Sequence, residues 1–218
     1  MYTLAFDTTA ACCSIALLKD DKISRTFEQE MDFGQAEVLM PEIKNILAKE
    51  RISFSDLNLI VVCTGPGSFT GVRSSISAAR TFGLTSDKLV IAGVSAFEAY
   101  VKSLAMDEIA DLNVVIIETK RDDFYYQIFD SSLQKLTEPA AAQRADIIAE
   151  LRDKKVSLIG DGVERFLSTP SGLSLHAIRM EKHLPIEYLG WCGLKHFLSG
   201  RPDFPKPLYL RAPDVCVK

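Results

Sequence analysis

A pattern near the N-terminus returns at residue 113, and it limits the fold more than any other feature. Residues 2–6 are strand formers, Asp7-Thr8-Thr9 follow, and residues 14–18 form a second apolar run. Asp20-Asp21 marks a turn, and residues 23–30 read as a third strand. Residues 113–118 are again an apolar run closed by an acid. Residues 119–123 form a polar bend, 124–129 an aromatic returning strand, and 133–137 the candidate for the next one. Asp7 and Glu118 fall at matching places. A repeated strand, acid, bend and strand implies two related lobes facing a cleft, each opening with an antiparallel meander. The acidic stretch at 107–111 sets the expected boundary, giving a first lobe over residues 1–106 and a second over 107–218. A chain of 218 residues accommodates two compact lobes.

Between the two copies lies the most specific stretch, Thr64-Gly65-Pro66-Gly67-Ser68-Phe69-Thr70-Gly71-Val72-Arg73. The apolar run at 59–63 leads in as a buried strand, and helical periodicity from 72 to 84 leads out. Glycine permits positive φ and close backbone approach, Pro66 fixes one φ, and Ser68 or Thr70 can cap the helix. Free N–H groups in such a loop can cradle an anion. The same residues also make a well-formed strand-to-helix turn and nothing more. Two motifs are excluded by spacing. A P-loop requires G-x-x-x-x-G-K-[S/T], yet Gly67 to Gly71 is one residue short and Val72-Arg73 follows. A dinucleotide fingerprint requires glycine where Thr70 stands. At the first bend, Asp7 and the hydroxyls of Thr8 and Thr9 can face a phosphate through Mg²⁺. Equally, Asp7 can close an Asx-type turn on its own backbone.

Helical spacing runs over 35–50 through Ala36, Leu39, Met40, Ile43, Ile46 and Leu47, with Pro41 inside. The helix after the glycine loop carries Ser74, Ser75, Ser77, Ala78 and Ala79, small residues that suit either packing on its own sheet or a subunit contact. A strand is expected over 88–93. Ser95 and Glu98 then form a capping box for a helix reaching about Met106. Residues 140–151 read as a helix, 156–159 as a strand closed by Gly160-Asp161-Gly162, and 185–199 as a helix whose Gly190 and Gly193 serve close packing. The tail over 201–218 holds four prolines and is expected to run extended, with Leu208-Tyr209-Leu210-Arg211 docking as one strip.

Composition narrows the function classes. A net charge of −4 gives no general basic footprint for autonomous nucleic-acid binding. No apolar run approaches the ~20 residues that span a bilayer. The first apolar stretch lacks basic residues and contains Asp7, so it reads as a core strand rather than a leader. Five cysteines without C-x-x-C spacing read as buried thiols of a reducing cytoplasm. His176, His183 and His196 have no ligand partner at helical spacing, so no zinc site is visible.

Phe6-Asp7-Thr8-Thr9, the run from Gly65 to Arg73, Gly93-Val94-Ser95, Gly160-Asp161-Gly162 and Tyr209-Leu210-Arg211 together resemble the TsaB (YeaZ) family. The matches span nearly the whole chain, and the G-P-G-S-F-T-G-V-R run is the specific one. The resemblance implies an α/β chain of the actin/Hsp70/sugar-kinase-like (ASKHA) fold, with two ribonuclease-H-like lobes and the second reduced. It implies a subunit of the machinery that makes threonylcarbamoyladenosine at adenosine 37 of tRNA. In the catalytic paralogue, TsaD, a metal site carries H-H-x-E-G-H after a glycine-valine. The same frame here reads Gly93-Val94-Ser95-Ala96-Phe97-Glu98-Ala99-Tyr100, so the two ligand positions fall on Ala96 and Tyr100, neither of which supplies a nitrogen.

The implied role is that of a non-catalytic activating scaffold. It pairs with a TsaD-type subunit and a TsaE-type ATPase, forms a homodimer when alone, meets tRNA only through the complex, and has no membrane association. The expected pairing face is Gln35, Leu39, Phe69, Thr70, Arg73, Ser74, Ser77 and Ala78. Asp7, Thr8, Thr9, Gly65 and Glu118 are the expected remnant of a nucleotide site. No catalytic or metal-binding residue is assigned, and no cofactor is expected on the isolated chain, since ATP, Mg²⁺ and metal belong to the partners. Relatives usually carry Asp where this chain has Glu118, and histidine where it has Gln35. An autonomous ATP-dependent kinase-like enzyme of the same fold is the alternative, with Asp7 and Glu118 flanking a metal-nucleotide. A metallopeptidase is the remote alternative and requires ligands this sequence lacks.

Overall fold

The computed structural model describes residues 1–84 and 86–211. In the first half the elements are β1 (Tyr2–Asp7), β2 (Cys12–Lys19), β3 (Lys22–Glu30), α1 (Gln35–Lys49), β4 (Leu57–Cys63), α2 (Phe69–Gly83), β5 (Val90–Val94) and α3 (Ala96–Lys102). The second half holds β6 (Leu112–Glu118), β7 (Asp123–Phe129), β8 (Ala140–Gln143), α4 (Arg144–Glu150), β9 (Lys155–Gly160), α5 (Val163–Phe166), β10 (Ser174–Met180) and α6 (Ile186–Leu198). One sheet has the order β3-β2-β1-β4-β5 and the other, read from its far edge, β8-β7-β6-β9-β10. In both, the first strand pairs antiparallel with the second and parallel with the fourth. The repeat seen in the sequence thus extends to a whole βββαβαβα plan, the ribonuclease-H-like topology used twice in the ASKHA fold.

Alternation along the strands explains the first core. Leu4 and Phe6 of β1, Ile15 and Leu17 of β2, and Ile60 and Val62 of β4 point to one face. There they meet Leu39, Ile43, Ile46 and Leu47 of α1 and Val72 and Ile76 of α2. Full burial of each such side chain contributes about 1.5–3 kcal/mol. The central parallel strands are buried on both faces, so they read as continuous apolar runs. The opposite face receives α6. A Cβ on Gly190 would lie 2.8 Å from Leu18 Cδ1, and one on Gly193 would lie 2.4 Å from Val61 Cγ1. These glycines let the helix sit directly on the sheet.

Packing divides the chain into two compact units, Met1–Ala99 with His183–Leu208, and Tyr100–Lys182 with the chain from Tyr209. This differs from a cut at 106/107 with the whole remainder in one lobe. The reason is α6, which rests on β1, β2 and β4 and so returns residues 183–208 to the first unit. The second unit is the reduced one. Its α4 and α5 have 7 and 4 residues, where α1 and α2 have 15 each. Its core is built around Val114, Ile116, Phe124, Ile128, Ile147, Leu158 and Phe166.

Three local expectations are corrected. Residues 140–143 form β8, not the start of a helix: Ala140 pairs with Tyr126 and Gln143 with Asp123, so an open strand edge overrides alanine's helix preference. Residues 133–137 contribute only an isolated bridge, Phe129 to Lys135. The helix after β5 stops at Lys102, short of Met106. The edge strand β10 has no counterpart in the sequence reading. The part of the tail expectation that concerns residues 212–218 lies outside the described residues.

Candidate functional site

The bend after β1 and the glycine loop after β4 are locked together. The Asp7 carboxylate accepts the Thr9 N–H at 2.9 Å, which makes the Asx-type turn. Asp7 is 1% exposed. Burial raises its pKa, against hydrogen bonds from Thr9, the Cys63 thiol and the Thr8 backbone that pull the other way. The Thr8 hydroxyl donates to the Gly71 carbonyl at 2.8 Å and lies 2.7 Å from Ser75 Oγ. The Ser68 N–H donates to the Thr9 carbonyl at 2.7 Å. Ser68 is the N-cap of α2 and accepts the Gly71 N–H at 3.3 Å, while the Gly65 N–H points to Cys63 Sγ at 3.4 Å. The N–H groups of Gly65, Ser68 and Gly71 are therefore engaged within the chain.

The glycines of this loop answer to the bend. A Cβ on Gly67 would stand 2.6 Å from the Thr9 carbonyl oxygen, and one on Gly71 would stand 1.9 Å from that of Thr8. Gly65 has φ of 98°, a left-handed value that favours glycine. The spacing that fits neither a P-loop nor a dinucleotide fingerprint fits this backbone-on-backbone contact.

The second unit repeats the arrangement with different side chains. The Glu118 carboxylate accepts the Lys120 N–H at 2.6 Å, as Asp7 accepts that of Thr9. It is also gripped by Arg165 through two hydrogen bonds of 2.7 and 2.8 Å. The Arg165 guanidinium lies 3.8 Å over the Phe124 ring and donates to the Asp123 carbonyl. Burial pushes the Glu118 carboxyl up, but Arg165 and the Lys120 N–H outweigh it and hold it below the usual range. The Asp161 carboxylate accepts the Glu118 N–H at 2.9 Å. A Cβ on Gly160 would lie 2.2 Å from the Ile116 carbonyl oxygen. Gly160-Asp161-Gly162 is thus the counterpart of the longer glycine loop. Asp161, which the sequence offers as a turn residue able to meet a ligand, serves the turn; Arg165 carries a role that sequence reasoning missed, and the position of the Gly-Asp-Gly turn after the fourth strand of its repeat is the available signal.

The residues expected on a pairing face separate into two groups. On α2, Phe69, Thr70, Arg73 and Ser77 are exposed, and Ser74 and Ala78 are half-buried. The Arg73 guanidinium lies 3.7 Å over the Phe69 ring. On α1, Leu39 is 2% exposed and belongs to the core, so it is not a surface residue. The Gln35 side chain turns inward, donating to the carbonyls of Ala10 and Met31. The Glu98 N–H donates to Ser95 Oγ at 3.2 Å, the Ser95 half of the expected capping box, and the Glu98 carboxylate lies 2.9 Å from His196 Nε2.

The model of the TsaD family, described as tRNA N6-adenosine threonylcarbamoyltransferase, matches residues 34–178, well over half of the chain. The tRNA threonylcarbamoyladenosine biosynthesis protein TsaB of Escherichia coli is 28% identical over 228 residues, covering 97% of this chain and 95% of that protein. The chain belongs to this family, on its TsaB (YeaZ) branch. The TsaB protein of a Buchnera aphidicola strain is 37% identical over 81 residues; there the match covers 37% of this chain and only 36% of the relative's length. The solved YeaZ structure from Pseudomonas aeruginosa has a TM-score of 0.79 at 20% identity, over 96% of this chain and 99% of that one. A putative N-acetylmannosamine kinase from Listeria monocytogenes has a TM-score of 0.52 at 12% identity, over 92% and 99%. Both share the fold.

Ala96 and Tyr100, the two positions where the resemblance leads one to expect the paralogue's histidines, are both buried. Among the described residues no group of three or more His, Cys, Asp or Glu side chains is placed to hold a metal ion. No described helix is long and apolar enough to cross a membrane.

Proposed function

We propose that this chain is a non-catalytic, activating subunit in the synthesis of threonylcarbamoyladenosine at adenosine 37 of tRNA. It pairs through the exposed side of α2 with a TsaD-type catalytic subunit, and a TsaE-type ATPase completes the assembly. ATP, Mg²⁺ and the catalytic metal reside on those partners, and tRNA is met through the complex in the cytoplasm. When the partner is missing, the same side of α2 pairs two copies of the chain.

One observation carries this reading. At the bend where a phosphate-handling member of the fold needs accessible acid and free loop N–H groups, Asp7 is buried and the N–H groups of Ser68 and Gly71 are spent on the chain itself. The corresponding acid of the second unit, Glu118, is neutralised by Arg165. The fold's frame is kept and its reactive positions serve packing.

Reconstitution tests the proposal. Catalytic subunit, ATPase, tRNA and threonylcarbamoyl-adenylate are combined with and without this chain. Product formation should depend on its presence. Equal product on omission would sink the reading, and stoichiometric ATP binding by the isolated chain in calorimetry would favour the kinase-like alternative.

A further inference from the structure

The proline-rich segment after α6 is bound like a peptide ligand to its own unit. The Asp203 carbonyl accepts the Gly93 N–H at 2.7 Å, on the outer side of the edge strand β5. The Pro205 carbonyl accepts from Arg80 Nη2 of α2 at 2.7 Å, and the Arg80 guanidinium lies 4.9 Å over the Phe204 ring. The Leu208 N–H donates to the Thr64 carbonyl at 2.8 Å, at the mouth of the glycine loop. Two glycines make room for it: a Cβ on Gly93 would lie 2.8 Å from Pro205 Cα, and one on Gly65 would lie 3.3 Å from the Leu208 carbonyl oxygen. Pro205 is buried although its neighbours on either side are exposed.

We infer that residues 203–208 are a latch that positions α2, with Phe204, Pro205 and Arg80 as its positioning residues. The three anchors fall on three separate elements: the edge of β5, the loop that feeds α2, and the exposed side of α2 itself. Arg80 is seven residues from Arg73, two helical turns along the same face. An extended segment fixed at both the loop and that face restrains the helix at its start and in its last turn. Proline suits the role because it loses little chain entropy when held extended. Covering the outer N–H of β5 also closes a sheet edge that would otherwise offer itself to another chain.

Amide hydrogen exchange on the full chain tests the latch. The variant Phe204→Ala/Pro205→Gly removes the ring under Arg80 and the stiff buried residue. Arg80→Ala breaks the same contact from the helix side and leaves the core untouched, so it serves if the first variant fails to fold. With the latch loosened, exchange over residues 64–76 should rise about tenfold or more, as expected when a local opening loses one or more anchoring hydrogen bonds. Combining the variants should give less than the sum of their separate effects, because the Arg80–Phe204 contact is common to both. Faster exchange confined to Gly93 and residues 203–208, with 64–76 unchanged, would overturn the inference, as would simple additivity. A second readout rests on the proposed pairing with a TsaD-type subunit: retention of that partner should fall in step with the exchange change. If the unmodified chain retains no partner, the functional reading fails, while the exchange map still judges the latch.

Discussion

Thr8 and Gly71 meet where no side chain fits: the α2 backbone at Gly71 lies against the Thr8 carbonyl, and the Thr8 hydroxyl bonds the Gly71 carbonyl at 2.8 Å. The contact joins the end of β1 to the first turn of α2. Gly71→Ala would place its methyl 1.9 Å from a backbone oxygen, which no rotamer change relieves. The expected loss of stability is about 3 kcal/mol, the upper end of what overpacking usually costs. Ser68→Ala, which removes the N-cap, should cost about 1 kcal/mol. Urea denaturation midpoints at constant slope measure both.

Asp7 gives stability a pH dependence of definite sign. Its folded pKa is raised above the ordinary 3.8 by burial. The stability it lends is therefore full below the unfolded value and is lost as pH rises through the folded one. Asp7→Asn keeps an oxygen for the Thr9 N–H and cannot ionise. The variant should be at least as stable as the parent at neutral pH, and its advantage should shrink on acidification toward about pH 4. Denaturation curves across that range decide it. A parent chain that gains stability relative to the variant as pH rises would contradict the dominance of burial over the hydrogen bonds at Asp7.

Glu118 has the opposite sign. Burial works to raise it, but Arg165 and the Lys120 N–H hold its folded pKa below the ordinary 4.5. Its contribution is thus present above the unfolded value and is lost as pH falls through the lowered folded value. The Arg165 side chain is 38% exposed, so solvent screens the pair. Arg165→Met should cost about 1 kcal/mol near neutrality, less at high salt. Thermal unfolding at two ionic strengths checks the magnitude and the screening together.

The two-lobed plan was legible because each lobe opens with a strong apolar strand, an acid and a hydroxyl-bearing bend, and those features need no tertiary context. Asp7 and Glu118 fall at matching places for that reason, and their strands β1 and β6 occupy the same place in the two sheets. Gly190 and Gly193 are legible as close-packing positions, and what they approach is Leu18 of β2 and Val61 of β4. What escaped the sequence was set by partners far along the chain. Ala140–Gln143 is a strand only because β7 offers an open edge. Residues 183–208 join the first unit only because α6 fits β1 and β4. The partner of Glu118 is 47 residues away, on a four-residue helix without a periodic signal. The burial of Leu39 on α1, against the exposure of Ser77 on α2, turns on how each helix is rotated about its own apolar stripe.

That last contrast separates folding from pairing. Leu39 is enclosed by the α1–α2 core, so Leu39→Ala should destabilise the chain by about 2–5 kcal/mol. Where the variant still folds, it should keep its affinity for a TsaD-type partner. Ser77 is exposed on α2, whereas Ala78 packs partly against the core and would report on both properties at once. Ser77→Glu should leave stability within about 0.5 kcal/mol, as surface changes usually do. It should nevertheless block co-purification with the catalytic subunit and shift the isolated chain toward monomer in light scattering, because a carboxylate left unpaired in a contact costs several kcal/mol. If Ser77→Glu pairs as the unmodified chain does while Leu39→Ala does not, the pairing surface is elsewhere and the exposed side of α2 has another use.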